Sequence, residues 1–253
     1  MRQPIMLFVV AGALGCSTPG DERVQPDTAA VDARSASPRS VTPAPVATPL
    51  PAVDSGAPRL LPRDEADAAF RSFRSRVLER LSARDTSFLY GMLAPDIKNS
   101  FGGDDSIAGF KRIWRMAENR TDVWEVLSRV LQLGGKMPAD SLFIAPYVYA
   151  FWPDSIDAFE HVAVVTPNAL LREAASASSR AIGTLSHSIL KLEEWQNLGE
   201  LGVPTDSTWA RVRLRSGRTG WVQGEAVYSP VDWRAFFIKR NGRWMLQLFV
   251  AGD

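Results

Sequence analysis

Apolar and polar positions change their rhythm several times along this chain. Residues 5–14 are a run of apolar and small residues behind the basic side chain Arg2. Residues 17–62 then show no periodicity. They hold no aromatic side chain but nine of the 17 prolines, mixed with Ala, Ser, Thr and Val. From Asp64 a 3.6-residue rhythm begins: Ala66, Phe70, Phe73, Val77 and Leu81 share one face, with Arg71, Arg74, Arg76 and Arg80 around the rest of the wheel. This predicts an amphipathic helix with an acidic start and a basic finish, as its dipole favours. A short helix over 87–93 ends before Pro95, Ser106 caps a helix over 107–118, and Asp122 caps one over 123–133 that stops at Gly134-Gly135. In between, Gly102-Gly103 beside Asp104-Asp105 has neither calcium-loop nor P-loop spacing and reads as a turn with Phe101 packed.

After Ser141 the period shortens toward two, predicting strands over 142–150, 162–165, 169–172, 181–185, 189–195, 209–214 and 219–222. Residues 233–250 predict a hairpin around Asn241-Gly242 with large apolar side chains on both faces, Phe236, Phe237, Ile238, Trp244, Leu246, Leu248 and Phe249. Such a hairpin needs cover on both sides, and is expected to pack on the helical half and pair with the 142–150 segment. The fold class expected is α+β: a mainly helical domain over 63–160 with the hairpin of 231–253 returning to it, and a small β-barrel over 161–230 inserted between them. The run of helix, break at Ala83-Arg84-Asp85-Thr86, short helix and mixed tail resembles nuclear transport factor 2-like cone folds in topology, which carries no function over.

The front end has the layout of a secretory signal and is too short to cross a bilayer as a helix, which needs about 20 apolar residues. Its ending, Ala13-Leu14-Gly15-Cys16, resembles the lipobox of bacterial lipoproteins, with Ala13 where that family prefers Leu. The resemblance implies that residues 1–16 contain a cleaved signal and that Cys16 becomes an acylated first residue. More than one acyl chain is then needed for firm anchoring. Ser17, rather than Asp, implies the outer membrane, periplasmic face. Residues 17–62 cannot bury enough apolar surface to offset their ordering entropy and read as a disordered linker. As a flexible coil of 46 residues this linker averages roughly 40 Å end to end.

In the β half, Ala169-Leu170-Leu171-Arg172, Ala181-Ile182-Gly183-Thr184-Leu185, Trp209-Ala210-Arg211-Val212-Arg213-Leu214 and Gly217-Arg218-Thr219-Gly220-Trp221-Val222 resemble the bacterial SH3-like (SH3b) domain in order and spacing. Leu170 and Glu173-Ala174 depart from that family's first strand and loop, and residues 196–207 insert a loop where it turns tightly. The resemblance implies a small barrel that binds peptides or peptidoglycan. By alternation Val212 and Leu214 point inward, while Trp209, Arg211, Arg213 and Arg215 point outward with Arg218 and Trp221 nearby. Those six are the candidate ligand-binding residues. Arginine suits carboxylates and phosphates, and tryptophan supplies flat apolar area at small entropic cost.

Composition narrows the chemistry. With 29 basic and 28 acidic side chains the net charge of +1 offers no field for nucleic acid. One cysteine excludes a disulfide framework and a thiolate zinc site, and two histidines, His161 and His187, leave too few ligands for most catalytic metals. Gly-x-Ser-x-Gly, dinucleotide-loop and His-Glu-x-x-His motifs do not occur. The expected protein is therefore not an enzyme and has no cofactor, metal or catalytic residue. It is a lipid-anchored envelope protein binding a peptide or cell-wall component. Two alternatives stay open: an adaptor for an envelope protein partner, or a hydrolase using carboxylates among Asp104, Asp105, Glu118, Glu193 and Glu194.

Overall fold

A computed structural model describes residues 49–252 apart from 55, 104, 119–121 and 203. The signal, Cys16 and the linker through residue 48 lie outside the described residues, as does Asp104. In chain order the helices and strands of the first half are α1 (Ala68–Ser82), α2 (Thr86–Met92), β1 (Leu93–Lys98), α3 (Ile107–Ile113), α4 (Val123–Gln132), β2 (Lys136–Ala139), β3 (Leu142–Ala145) and α5 (Tyr147–Ala150). There follow β4 (His161–Val164), β5 (Ala169–Arg172), β6 (Ala181–Leu185), β7 (Ile189–Gln196), β8 (Trp209–Arg213), β9 (Thr219–Gln223) and β10 (Val227–Tyr228). The chain closes with β11 (Arg234–Arg240) and β12 (Arg243–Val250).

The helix starts have local causes. Asp67 and Asp85 accept the Phe70 and Phe88 N–H groups at 2.6 and 2.9 Å, and Ser106 Oγ accepts the Gly109 N–H at 2.9 Å. Each satisfies a donor that an isolated helix end leaves unpaired.

The expected helical domain with an inserted closed barrel is not what the chain builds. The described residues are mostly β, in a five-stranded sheet ordered β1-β12-β11-β3-β2 and an open seven-stranded sheet ordered β10-β4-β7-β8-β9-β5-β6. Two strands in the supposedly helical half carry prolines, Pro95 in β1 and Pro138 in β2, and these lie at the two edges of the five-stranded sheet. Edge strands tolerate a residue that cannot donate to the ladder, so proline there marks an edge and not a break. β1 runs parallel to β12, and the hairpin pairs through β11 with β3 in the register Ala235↔Ala145 to Ile238↔Leu142. The segment expected as a strand over 142–150 stops at Ala145 and turns into α5. The helix expected over 107–118 breaks after Ile113, where Arg115 adopts φ 45°, and resumes as a 3-10 turn over Met116–Glu118. Phe101, expected to pack, is 59 % exposed.

Two cores result. The first joins α1 to α4 to the five-stranded sheet, with Phe70 stacked on Phe143 at 4.0 Å and Trp114 on Phe249 at 5.2 Å between ring centroids. The second covers one face of the seven-stranded sheet with Val162, Val164, Leu171, Leu190, Val212 and Val222. Gly220 is required there, because a Cβ would lie 2.8 Å from Leu171 Cδ1.

The last residues of the proline-rich stretch lie against this sheet. Val53 N–H donates to Thr184 O at 3.0 Å and Thr184 N–H to Pro51 O at 2.9 Å. Further along, Ile189 N–H donates to Pro58 O at 2.7 Å and Leu60 N–H to His187 O at 2.8 Å. Residues 51–60 thus form a strap linking β6 to the start of β7.

Candidate functional site

β8 alternates as its pattern requires: Ala210, Val212 and, just beyond it, Leu214 are buried in the second core, and Arg213 and Arg215 are exposed. Trp209, expected outside, is buried at 5 % exposure between the register partners Gln196 and Gln223. Several cations of the expected patch already have partners on the protein. A register shift in β7 between Leu192 and Glu194 brings Glu193 beside Arg213, whose Nε and Nη2 donate to its two carboxylate oxygens at 2.6 and 2.9 Å. The Arg213 hydrogen bond holds the Glu193 carboxyl below the usual carboxylate range. Arg215 Nη1 donates to Gly56 O at 2.9 Å and Arg218 Nη2 to Ile182 O at 3.3 Å.

What the register does assemble is a row across neighbouring strands. Trp221 on β9 is flanked by Arg211 on β8 and Arg172 on β5, and Arg211 is opposite Glu194 on β7. Trp221, Arg211 and Arg172 are half-buried. Arg172 Nη1 is anchored on Ser179 O at 2.6 Å, while among the described residues Arg211 Nη2 donates to the Thr219 hydroxyl at 3.4 Å. Trp221 thus has an arginine as register partner on each neighbouring strand, an aromatic residue between two residues that carry guanidinium donors. That arrangement suits a carboxylate-bearing ligand lying along the sheet. Arg172 was not among the six candidates; its place opposite Trp221 is set by a pairing between strands nearly fifty residues apart in the sequence.

A second feature went unread in the sequence. A cleft of about 450 Å³ opens between α4 and the seven-stranded sheet, lined by Glu125, Arg129, Asp206, Tyr228, Asp232 and Trp233 among others. Arg129 Nη2 donates to Val227 O at 2.7 Å, and its guanidinium lies 5.2 Å from the Tyr228 ring centroid. Tyr228 OH donates to Trp233 O at 2.5 Å, and Trp233 Nε1 donates to Leu201 O at 2.9 Å, tying down the inserted 196–207 loop. Asp232 accepts the Ser229 N–H at 3.1 Å, and burial pushes its pKa up to about 6. Burial likewise drives the Tyr228 hydroxyl well above its ordinary value. The inserted loop was the one available signal for this cleft.

The remaining candidates are dispersed. Asp105 pairs with Lys98 at 2.9 Å, and Glu193 and Glu194 sit on β7. His161 Nδ1 lies 2.9 Å from Asp157 O, and burial lowers the pKa of His187. Among the described residues no group of three His, Cys, Asp or Glu side chains could hold a metal, and no helix is long and apolar enough to cross a membrane. No family model, curated protein or solved structure matches the chain.

Proposed function

We propose that this chain is a non-catalytic, lipid-anchored envelope protein that binds a peptide or cell-wall component through the Arg172, Trp221 and Arg211 row. The front-end pattern ending in Cys16 supports export and anchoring. The observation that carries the binding reading is the strand register that makes Arg211 and Arg172 the partners of half-buried Trp221 on its two neighbouring strands, with Arg211 making one long side-chain hydrogen bond among the described residues. A wall peptide supplies carboxylates for the arginines and an apolar backbone face for the ring.

The test is co-sedimentation of the full chain carrying Cys16→Ser, which cannot be acylated, with purified cell-wall sacculi at moderate salt. Arg211→Ser with Trp221→Ala should weaken sedimentation by about tenfold, equivalent to about 1.4 kcal/mol. Arg213→Ser, which removes a cation already paired with Glu193, should leave it within about twofold. Equal losses in both variants would point to diffuse charge. No sedimentation of the parent chain would remove wall binding and favour a protein partner.

A further inference from the structure

The first core has an opening where α1, α2 and the turn of the β11–β12 hairpin meet, on elements separate from the Trp221 row. It is a cleft of about 420 Å³, in the size range of small-molecule sites. Its apolar lining comes from Phe73, Phe88, Met92 and Trp244, and its charged lining residues are Arg76, Lys239 and Arg243, with no acidic side chain among the lining residues. Arg243 Nη2 is committed to Gly91 O at 3.0 Å. Lys239 Nζ stands 5.7 Å from the Trp244 ring centroid, and neither it nor Arg76 has a carboxylate partner among the described residues. Trp244 is 7 % exposed, and its Nε1 is a buried donor with no acceptor among the described residues. Cations gathered without carboxylates repel one another, so an anion reaching the cleft gains from all of them.

We infer that this cleft binds a soluble single-chain anionic amphiphile, its acyl chain over Phe73, Phe88 and Trp244 and its carboxylate between Arg76 and Lys239. The site is concave and spans two helices and a hairpin turn. Its shape therefore suits a monomer that enters it and not the flat surface of a bilayer. Gly91 provides a way to close it. A Cβ there meets nothing within 4 Å, and its position inside α2 accepts an ordinary side chain. Gly91→Leu therefore occupies the open space, and a helix is stabilised when glycine is replaced by leucine.

The experiment titrates the full chain carrying Cys16→Ser with dodecanoate below its micellar concentration, followed by tryptophan fluorescence and by calorimetry. Parallel titrations use dodecyltrimethylammonium and phosphatidylglycerol vesicles. Saturable one-to-one dodecanoate binding is expected. Arg76→Ser with Lys239→Ser should bind about tenfold more weakly, and Gly91→Leu should abolish binding with the thermal midpoint unchanged or raised. Equal affinity for the cationic amphiphile would overturn the assignment. So would undiminished dodecanoate binding in Gly91→Leu, or binding to vesicles with none to dodecanoate.

Discussion

Asp232 shows how one side chain can make stability depend on pH. Its carboxyl lies against Tyr228 in the junction cleft, and burial raises its pKa from 3.8 to about 6. Between those values the folded chain binds a proton that the unfolded chain releases. Asp232 therefore favours folding below pH 3.8, and that advantage is lost as pH rises through 6. Above pH 6 the ionised group costs on the order of 2 kcal/mol, a figure reduced for its partial contact with water. An asparagine side chain is isosteric with aspartate and can still accept the Ser229 N–H. Asp232→Asn should therefore raise the urea midpoint at pH 7.5 and leave it close to the parent's at pH 3.5. A gain of equal size at both pH values would mean that packing, and not ionisation, distinguishes the two side chains.

At the scale of elements, the strap of residues 51–60 depends on an absent side chain. A Cβ on Gly183 would lie 2.3 Å from Val53 Cγ1 and 3.0 Å from Pro51 O, contacts that neither a stiff valine nor a backbone carbonyl can relieve by rotation. Gly183→Ala should detach the strap from β6 and increase tryptic cleavage after Arg59 by about tenfold, while the rest of the fold resists digestion. Unchanged cleavage would mean that Asp54, which accepts the Ser186 N–H at 2.8 Å and also the Ser188 hydroxyl, holds the strap without the β6 contact. The strap also illustrates what the sequence makes legible. Its proline-rich composition reads as linker because nothing local shows that Thr184 and Ile189 offer it backbone partners. Strong local signals, by contrast, place the elements themselves: the Ser106 cap, the Asn241-Gly242 turn and the inward Val212 and Leu214 all have counterparts in the structure, whereas Asp122, expected to cap α4, makes no side-chain cap hydrogen bond and Trp209, expected outside, is buried. β1 and β2 were hidden by proline, which reads as a breaker until the sheet order places both strands at edges. For the candidate site, alternation identified the outward arginines but could not reveal which were already paired. Glu193 meets Arg213 because of a register shift, and Arg172 meets Trp221 because of a distant strand pairing.

Across the whole molecule, the two cores share a wall. In β4, Val162 and Val164 face the second core while Ala163 faces the first, and Val165, just past its end, joins the first. In β7, Leu190 faces the second core and Ile189 the first; in β10, Val227 and Tyr228 divide in the same way. Strands buried on both faces cannot lose one core without exposing apolar surface to water from the other side. Arg129 of α4 adds a polar tie, donating to the carbonyls of Gly224, Glu225 and Val227 just before and within β10. The described halves should therefore unfold together, as an independently folding inserted barrel would not. Leu127→Ala, in the first core, and Val212→Ala, in the second, both empty fully buried positions. The leucine truncation should cost about 2–5 kcal/mol and the valine truncation somewhat less. Each should shift one urea transition, with tryptophan fluorescence and far-ultraviolet circular dichroism remaining superimposable. Two transitions, each moved by only one of the variants, would show that the shared strands do not couple the cores.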